Sequence, residues 1–237
     1  MEFLLNICVG DNMKKGLLSI DWTNVAANTS DEISYFLFLE GKSIEAISLI
    51  RNIDKETVQN QIINGKIKYR LLTKSNTPQE LLATFSTAGK DDKIQLLKSI
   101  TEENKIEFVN YIRNEYFKLS FKEREIAIWI LGELREKSCI DILTRASVNK
   151  SVNLRRIAIS ALGKLEDRSV ESVLLRALED ENPQVLQYSI KALQKIKSDK
   201  AIKPIEKIKS TTDKEYLRRA ADDFLNSLKG SIFEEDK

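Results

Sequence analysis

Histidine is missing from the chain altogether, and cysteine occurs only at Cys8 and Cys139 among 237 residues. Those shortages remove histidine general bases, His-based triads, zinc knuckles and a disulfide framework together. Glycine is sparse, and its eight copies are scattered, so neither a phosphate-cradling loop nor a dinucleotide fingerprint can be assembled. No apolar run approaches the roughly 18 residues of a membrane span. The opening "MEFLLNICVGDNMKKGLLSIDW" has no basic residue before its apolar stretch and no small-residue cleavage pattern, so it does not fit a signal peptide. A surplus of one charge is lacking too: 38 Lys and Arg against 36 Asp and Glu leave +2, so any basic surface must be local. The expectation is a folded, cytoplasmic protein with no cofactor, no metal and no membrane partner. Met13, ahead of Lys14 and Lys15, offers an alternative start, and residues 1–29 are read as an N-terminal tail.

What is present is a repeat. From Ser120 onward "SFKEREIAIWILGELREKSCIDILTRASVNK", "SVNLRRIAISALGKLEDRSVESVLLRALEDE", "NPQVLQYSIKALQKIKSDKAIKPIEKIKSTT" and "DKEYLRRAADDFLNSLKG" align without gaps at a period of 31 residues. Their first column, Ser120, Ser151, Asn182 and Asp213, holds side chains that accept from the free N–H groups of a helix's first turn. Glu123 stands where a capping box needs it, and Pro183 takes the first helical position, where its missing N–H costs nothing. Small and apolar columns follow: Ala127, Ala158, Ser189 and Ala220; Leu131, Leu162, Leu193 and Phe224; Leu134, Leu165 and Ile196. Spacings of four and three place them on one helix face. A shorter second helix carries Leu143, Leu174 and Ile205, then Ala146, Ala177 and Ile208. Each unit is a helical hairpin that cannot bury its apolar face alone, so stacking must complete the core.

The segment "NLRRIAISALGKLEDRSVESVLLRALEDEN" resembles the short HEAT-like repeat of phycobilin lyases and many pigment-free bacterial proteins, through Arg155, Arg156, Ala158, Ala161, Leu162, Gly163 and Ala177. The resemblance covers the last half of the chain and implies an α-solenoid. It implies no ligand, because such repeats serve many partners. Residues 76–119 are helical but out of register: Thr77 caps a helix, Pro78 opens it and Glu80 closes a box, and two more amphipathic helices follow. They are read as degenerate repeats capping the solenoid of residues 120–237.

Before them, residues 30–75 form a compact module. "SDEISYFLFLE", capped by Ser30, and "GKSIEAISLIRNIDKETVQNQI" give three helices with a sharp last turn, a helix-turn-helix layout. Ile47, Ile53, Val58 and Ile62 make its core, Ser48 allows close approach, and Asn52 tolerates a left-handed turn. Gly41, Lys42, Ser43, Ile47, Ile53, Thr57, Val58, Asn60 and Ile62 are similar to the helix-turn-helix of LuxR-type regulators. Arg51 departs from that family's usual leucine and resembles a module near the C-terminus of some RecQ-type helicases. Both resemblances imply double-stranded DNA against the last helix, through Lys55, Glu56, Gln59 and Asn60, with Thr57 toward a phosphate. Gln and Asn can pair bidentately with adenine, while Lys42, Lys55, Lys66, Lys68, Arg70 and Lys74 supply phosphate contacts. "GKIKYRLL" alternates basic with apolar, which places Lys66, Lys68 and Arg70 on one side of an extended segment. Glu45, Asp54 and Glu56 dilute that surface, and Leu49 with Ile50 suggests a face for protein.

On the solenoid, Arg145, Arg176 and Lys207 share one column of the second helices, which usually line the concave side, and form either a basic stripe for a partner or a solvated face. Trp129 stands in a column otherwise polar, as a partner anchor or a side chain covered by the non-repeat helices. The adjacent pairs Asp91–Asp92 and Asp222–Asp223 diverge on a helix and are read as solvated rather than metal-binding. The leading expectation is a non-enzymatic scaffold for a protein partner whose N-terminal module contacts DNA. A pure protein scaffold is the alternative, and a HEAT-like DNA-processing enzyme the third reading.

Overall fold

The computed structural model describes residues 13–232, with the side chains of Met13 and residues 229–232 left aside. The first twelve residues of the expected tail, Cys8 among them, lie outside the described residues. The chain forms two compact units, Met1–Tyr111 and Ile112–Lys237.

In the first unit strands β1 (Met13–Lys15) and β2 (Leu18–Ile20) pair antiparallel, Met13 opposite Ile20. Gly16 takes φ +61° in the turn, and a Cβ there would stand 2.5 Å from the Leu72 carbonyl oxygen. Only glycine lets the hairpin lie so close to the backbone. Leu17 N–H donates to Leu72 O at 3.0 Å, and Asn104 Nδ2 donates to Leu17 O at 2.6 Å. Leu18, Ile20 and Trp22 are buried, which corrects the reading of a tail from residue 13 on: their period-two spacing supplies core.

Helix α1 (Ser30–Leu39) is capped by Thr29 rather than Ser30, because Thr29 and Glu32 exchange both hydrogen bonds of a capping box. Helix α2 (Ile44–Arg51) starts at the Ser43 cap and ends on Asn52 at φ 52°, the left-handed turn expected. Ser48 Oγ donates to Ile53 O at 2.5 Å and ties that turn to α2. Helix α3 (Lys55–Tyr69) is capped by Asp54. The three helices enclose Ile47, Val58, Ile62, Tyr35, Phe36 and Tyr69, whereas Ile53 is only half-buried.

The segment expected to be extended after Gly65 is the last part of α3 instead. Gly65 is the reason it can pack: a Cβ there would fall 2.3 Å from Tyr35 Cβ, and the Tyr35 and Tyr69 rings stack at 6.2 Å. Helices α4 (Pro78–Thr87), α5 (Lys90–Ser99) and α6 (Glu102–Glu115) follow. Thr77 caps α4 and Pro78 opens it, but Glu80 accepts from Asn76 N–H at 2.7 Å rather than closing a box on Thr77. Phe85 and Phe108 stack at 5.7 Å in the same unit. The division between units therefore falls inside α6 rather than between residues 119 and 120.

The second unit repeats one plan. First helices α7 (Phe121–Glu133), α9 (Val152–Leu165) and α11 (Pro183–Lys195) alternate with second helices α8 (Ile140–Ala146), α10 (Glu171–Arg176) and α12 (Ile202–Thr211), and α13 (Glu215–Ile232) ends the series. Ser120, Ser151 and Asn182 cap their helices as expected, and the Ser120–Glu123 box is complete. Asp213 does not cap: it pairs with Lys214 at 3.0 Å, and α13 begins at Glu215. Ala127, Leu131, Ala158, Leu162, Ser189, Leu193, Ala220 and Phe224 are all buried.

Consecutive first helices pack side by side, α7 on α9, α9 on α11 and α11 on α13. Gly132 and Gly163 bring the first two pairs together, since a Cβ at either would lie 2.6 Å from the Cβ of Ala161 or Ala192. Each of these helices ends on a left-handed non-glycine residue, Arg135, Glu166 or Lys197, again one period apart.

Candidate interaction surfaces

The first candidate surface is the outer side of α3. Its cap uses Thr57 twice, N–H to Asp54 Oδ1 at 2.8 Å and Oγ1 to Asp54 Oδ2 at 2.6 Å, so the hydroxyl expected to meet a phosphate already donates within the chain. Lys55 pairs with Glu45 of α2 at 3.1 Å. That lysine, a hydrogen bond from Glu45's own backbone N–H and the Ser43 side chain hold the Glu45 carboxyl below its ordinary pKa. Glu56, Gln59 and Asn60 are exposed on the same helix, and so are Ile63 and Ile67, which put apolar area among the polar groups.

The three basic residues meant to form one stripe are separated by the helix and individually occupied. Lys66 Nζ sits 4.5 Å from the centre of the Phe38 ring, Lys68 pairs with Glu32 at 2.7 Å, and Arg70 pairs with Asp92 at 2.7 Å. Residues two apart on a helix point about 200° apart, so Lys68 faces away from Lys66 and Arg70, which lie one turn apart on the same side. The Arg70 pair also corrects the reading of Asp92 as merely solvated. Likewise Asp222 pairs with Lys209, at 2.5 Å. Lys42 is half-buried and Lys74 exposed. Half-buried Ile50 contrasts with Leu49, which is 83% exposed on α2.

Beneath α3 lies a polar network that fixes its orientation. Arg51 Nη1 donates to Ser30 O at 2.7 Å and to Ser34 Oγ at 2.6 Å, and also to Gln61 Oε1, which accepts from Ser34 Oγ at 2.8 Å. One guanidinium thus pins α2 to α1 and α3 where the resembled family has leucine. Glu32, 8% exposed, accepts from Lys68, Tyr69 and Thr29. Burial alone would raise its pKa, but these donors outweigh it and pull the carboxyl down to about 2. Burial and the same carboxylate push the Tyr69 phenol well up.

The second surface is on the repeats. Arg176 and Lys207, from successive second helices, line one groove of about 700 Å³ together with Lys200, Lys203, Glu179, Leu175, Leu178, Pro204 and Ile208. Lys200 is matched by Glu171 at 2.7 Å, whereas Arg176, Lys203 and Lys207 enter no ion pair among the described residues. A smaller cleft of about 250 Å³ adjoins it, lined by Val148 and sharing Arg176 and Glu179. Arg145, third member of the column, lines neither cleft; its guanidinium lies 5.4 Å from the centre of the Phe117 ring. Trp129 is half-buried on α7. The column pointed to Arg176 and Lys207 but not to Lys203. The signal for Lys203 was its place one helical turn before Lys207.

A staple behind the smaller cleft sets its wall. Arg155 grips Asp180 through Nε at 2.6 Å and Nη2 at 3.0 Å and donates to Asn149 O at 3.0 Å. One period earlier Arg124 reaches Phe117 O at 2.5 Å, but Asn149 replaces the aspartate, and Arg124 Nε is left buried without a partner.

Among the described residues no group of three or more His, Cys, Asp or Glu side chains is gathered as metal ligands would be, and no helix is long and apolar enough to cross a membrane. Cys139 is buried, and burial raises its thiol pKa. Comparison with known families finds a match of residues 146–225 to HEAT repeats. No curated protein matches the chain. The protein is thus all-α with HEAT-like solenoid repeats. The match does not reach residues 30–75, whose resemblance to LuxR-type and RecQ-type modules gains no support from it.

Proposed function

We propose that the protein is a non-enzymatic scaffold that holds a protein partner on the second-helix side of its HEAT-like repeats. The observation that carries this reading is the groove between α10 and α12, where unpaired Arg176, Lys203 and Lys207 surround an apolar floor. Scaffold repeats commonly present such extended surfaces without chemistry of their own. The test is a photo-activated crosslinking residue placed at Lys203 in the groove or at Lys191 on α11, in the living cell. Protein adducts at position 203 and none at 191 support the reading. Equal adducts at both, or none at 203, overturn it.

A second reading gives α3 a contact with DNA, favoured by the exposure of Gln59 and Asn60 together on that helix. With Lys66, Lys68 and Arg70 engaged inside the chain, phosphate attraction would rest on few cations, so binding would be weak and shallow in its salt dependence. Gln59→Ala with Asn60→Ala should then abolish preference among duplex sequences. Unchanged preference, or no binding to any duplex at low salt, removes this reading and leaves the scaffold alone.

A further inference from the structure

We infer that the groove between α10 and α12 takes a partner segment in which acidic and apolar residues alternate. The inference rests on the scaffold reading and specifies the partner's chemistry. Arg176, Lys203 and Lys207 line one groove, all three exposed, and among the described residues no carboxylate pairs with any of them, while neighbouring Lys200 already has Glu171. Three exposed cations around one groove concentrate positive charge there, and carboxylates from another chain complement it. Between the charges the floor is Leu175, Leu178 and Ile208, of which Leu178 is buried and the other two half-buried, so an apolar side chain between two acids has somewhere to go.

The track has a direction and a period. Val148 extends it into the adjoining cleft, which shares Arg176. An extended chain advances roughly 3.3 Å per residue and turns successive side chains to opposite faces, so the side chains that meet the groove are every second one, about 6–7 Å apart. A nucleic acid fits less well. No aromatic ring lines the groove to stack on a base.

The probe is a fluorescein-labelled peptide of repeated Glu-Leu-Asp triplets, titrated with the full chain and followed by anisotropy at two salt concentrations. Binding should weaken as salt rises and fall about tenfold or more in Arg176→Ala/Lys207→Ala. Lys122→Ala/Lys191→Ala removes the same charge from the first helices and should change affinity less than about twofold. Replacing leucine by serine in the peptide should weaken it at least several-fold.

Four results overturn the inference. They are equal losses in both double variants, full binding of the serine peptide, displacement by oligothymidylate at lower concentration than by unlabelled peptide, and no binding even at low salt. If the peptide fails while position 203 still crosslinks to protein in the cell, the scaffold stands and its partner is not acidic. If both fail, both readings fall.

Discussion

The two units answer the problem of holding helices together in opposite ways. The first unit uses contacts that occur once, such as Arg51 among Ser30, Ser34 and Gln61, Glu32 under Lys68 and Tyr69, and Gly65 against Tyr35. The second unit repeats one solution along the chain. Its Gly132–Ala161 and Gly163–Ala192 contacts are copies, and its charges form a ladder from hairpin to hairpin through Glu133–Lys164, Lys137–Asp167, Arg135–Glu166 and Glu166–Lys195. In the first unit polar groups are buried and specify one arrangement. In the second, apolar columns do most of the holding and most ion pairs lie on the outside, the largely buried Arg155–Asp180 pair being an exception. Each unit also contains one of the chain's two tryptophans, Trp22 and Trp129, so Trp129→Phe and Trp22→Phe variants report on the units separately.

The comparison breaks most visibly at Leu162, fully buried in the central hairpin. Leu162→Ala should cost about 2–5 kcal/mol in the urea transition seen through Trp129. The transition seen through Trp22 should hold its midpoint more nearly. A cost below about 0.5 kcal/mol would mean that the columns do not carry the stack.

The next effect belongs to Glu32. Its folded-state pKa lies near 2 against an ordinary 4.5, so its contribution is fully present above pH 4.5 and is lost as pH falls toward 2. The shift corresponds to roughly 3 kcal/mol. Glu32→Gln should flatten that acid dependence in the Trp22 signal, and because the group is buried, high salt should leave the dependence in place. The carboxyls of exposed Glu166 and half-buried Glu171 are also held low, the first by Lys195 and Arg135 and the second by Lys200 and Ser198. Their part of the acid dependence in the Trp129 signal should shrink with salt. Identical salt responses of the two signals would erase the distinction between buried and decorative charge.

Arg51→Leu restores the residue of the resembled family but removes the donor shared by Ser30 O, Ser34 Oγ and Gln61 Oε1. We expect a loss of about 1–3 kcal/mol in the first unit by urea unfolding. A gain in stability would show that the network is dispensable. Smallest of all, Lys164→Ala should change the second unit by less than about 1 kcal/mol, because a half-exposed pair contributes little by itself. A larger loss would promote the ladder from ornament to support.

How legible each unit was follows from the same contrast. A hairpin that solves the packing problem identically several times writes its solution as columns, which is why Leu131, Leu162 and Leu193 could be placed without a structure. The first unit has no second copy to compare. Lys66, Lys68 and Arg70 alternate with apolar residues in a way that suits a strand as well as a helix, and what decides for helix is Tyr35, thirty residues upstream, needing the space at Gly65. The hairpin of residues 13–20 carried a usable signal in the spacing of Leu18, Ile20 and Trp22 behind Gly16. The groove was half legible: Arg176 and Lys207 belong to a column, whereas Lys203 and the apolar floor arise from the pairing of two particular helices.

The copied contacts also make the length of the array nearly a free variable. Excising residues 151–181 would bring Ala192 to Gly132 in place of Ala161 and Lys195 to Glu133 in place of Lys164, one small residue and one lysine for another. A shortened chain would inherit a ready-made joint. Two rungs of the ladder resist, since Arg135 would then face Lys197 where Glu166 had been, and Lys137 would meet Ser198 where Asp167 had been. The repeats are interchangeable in shape, and those two charges record the order in which they are strung.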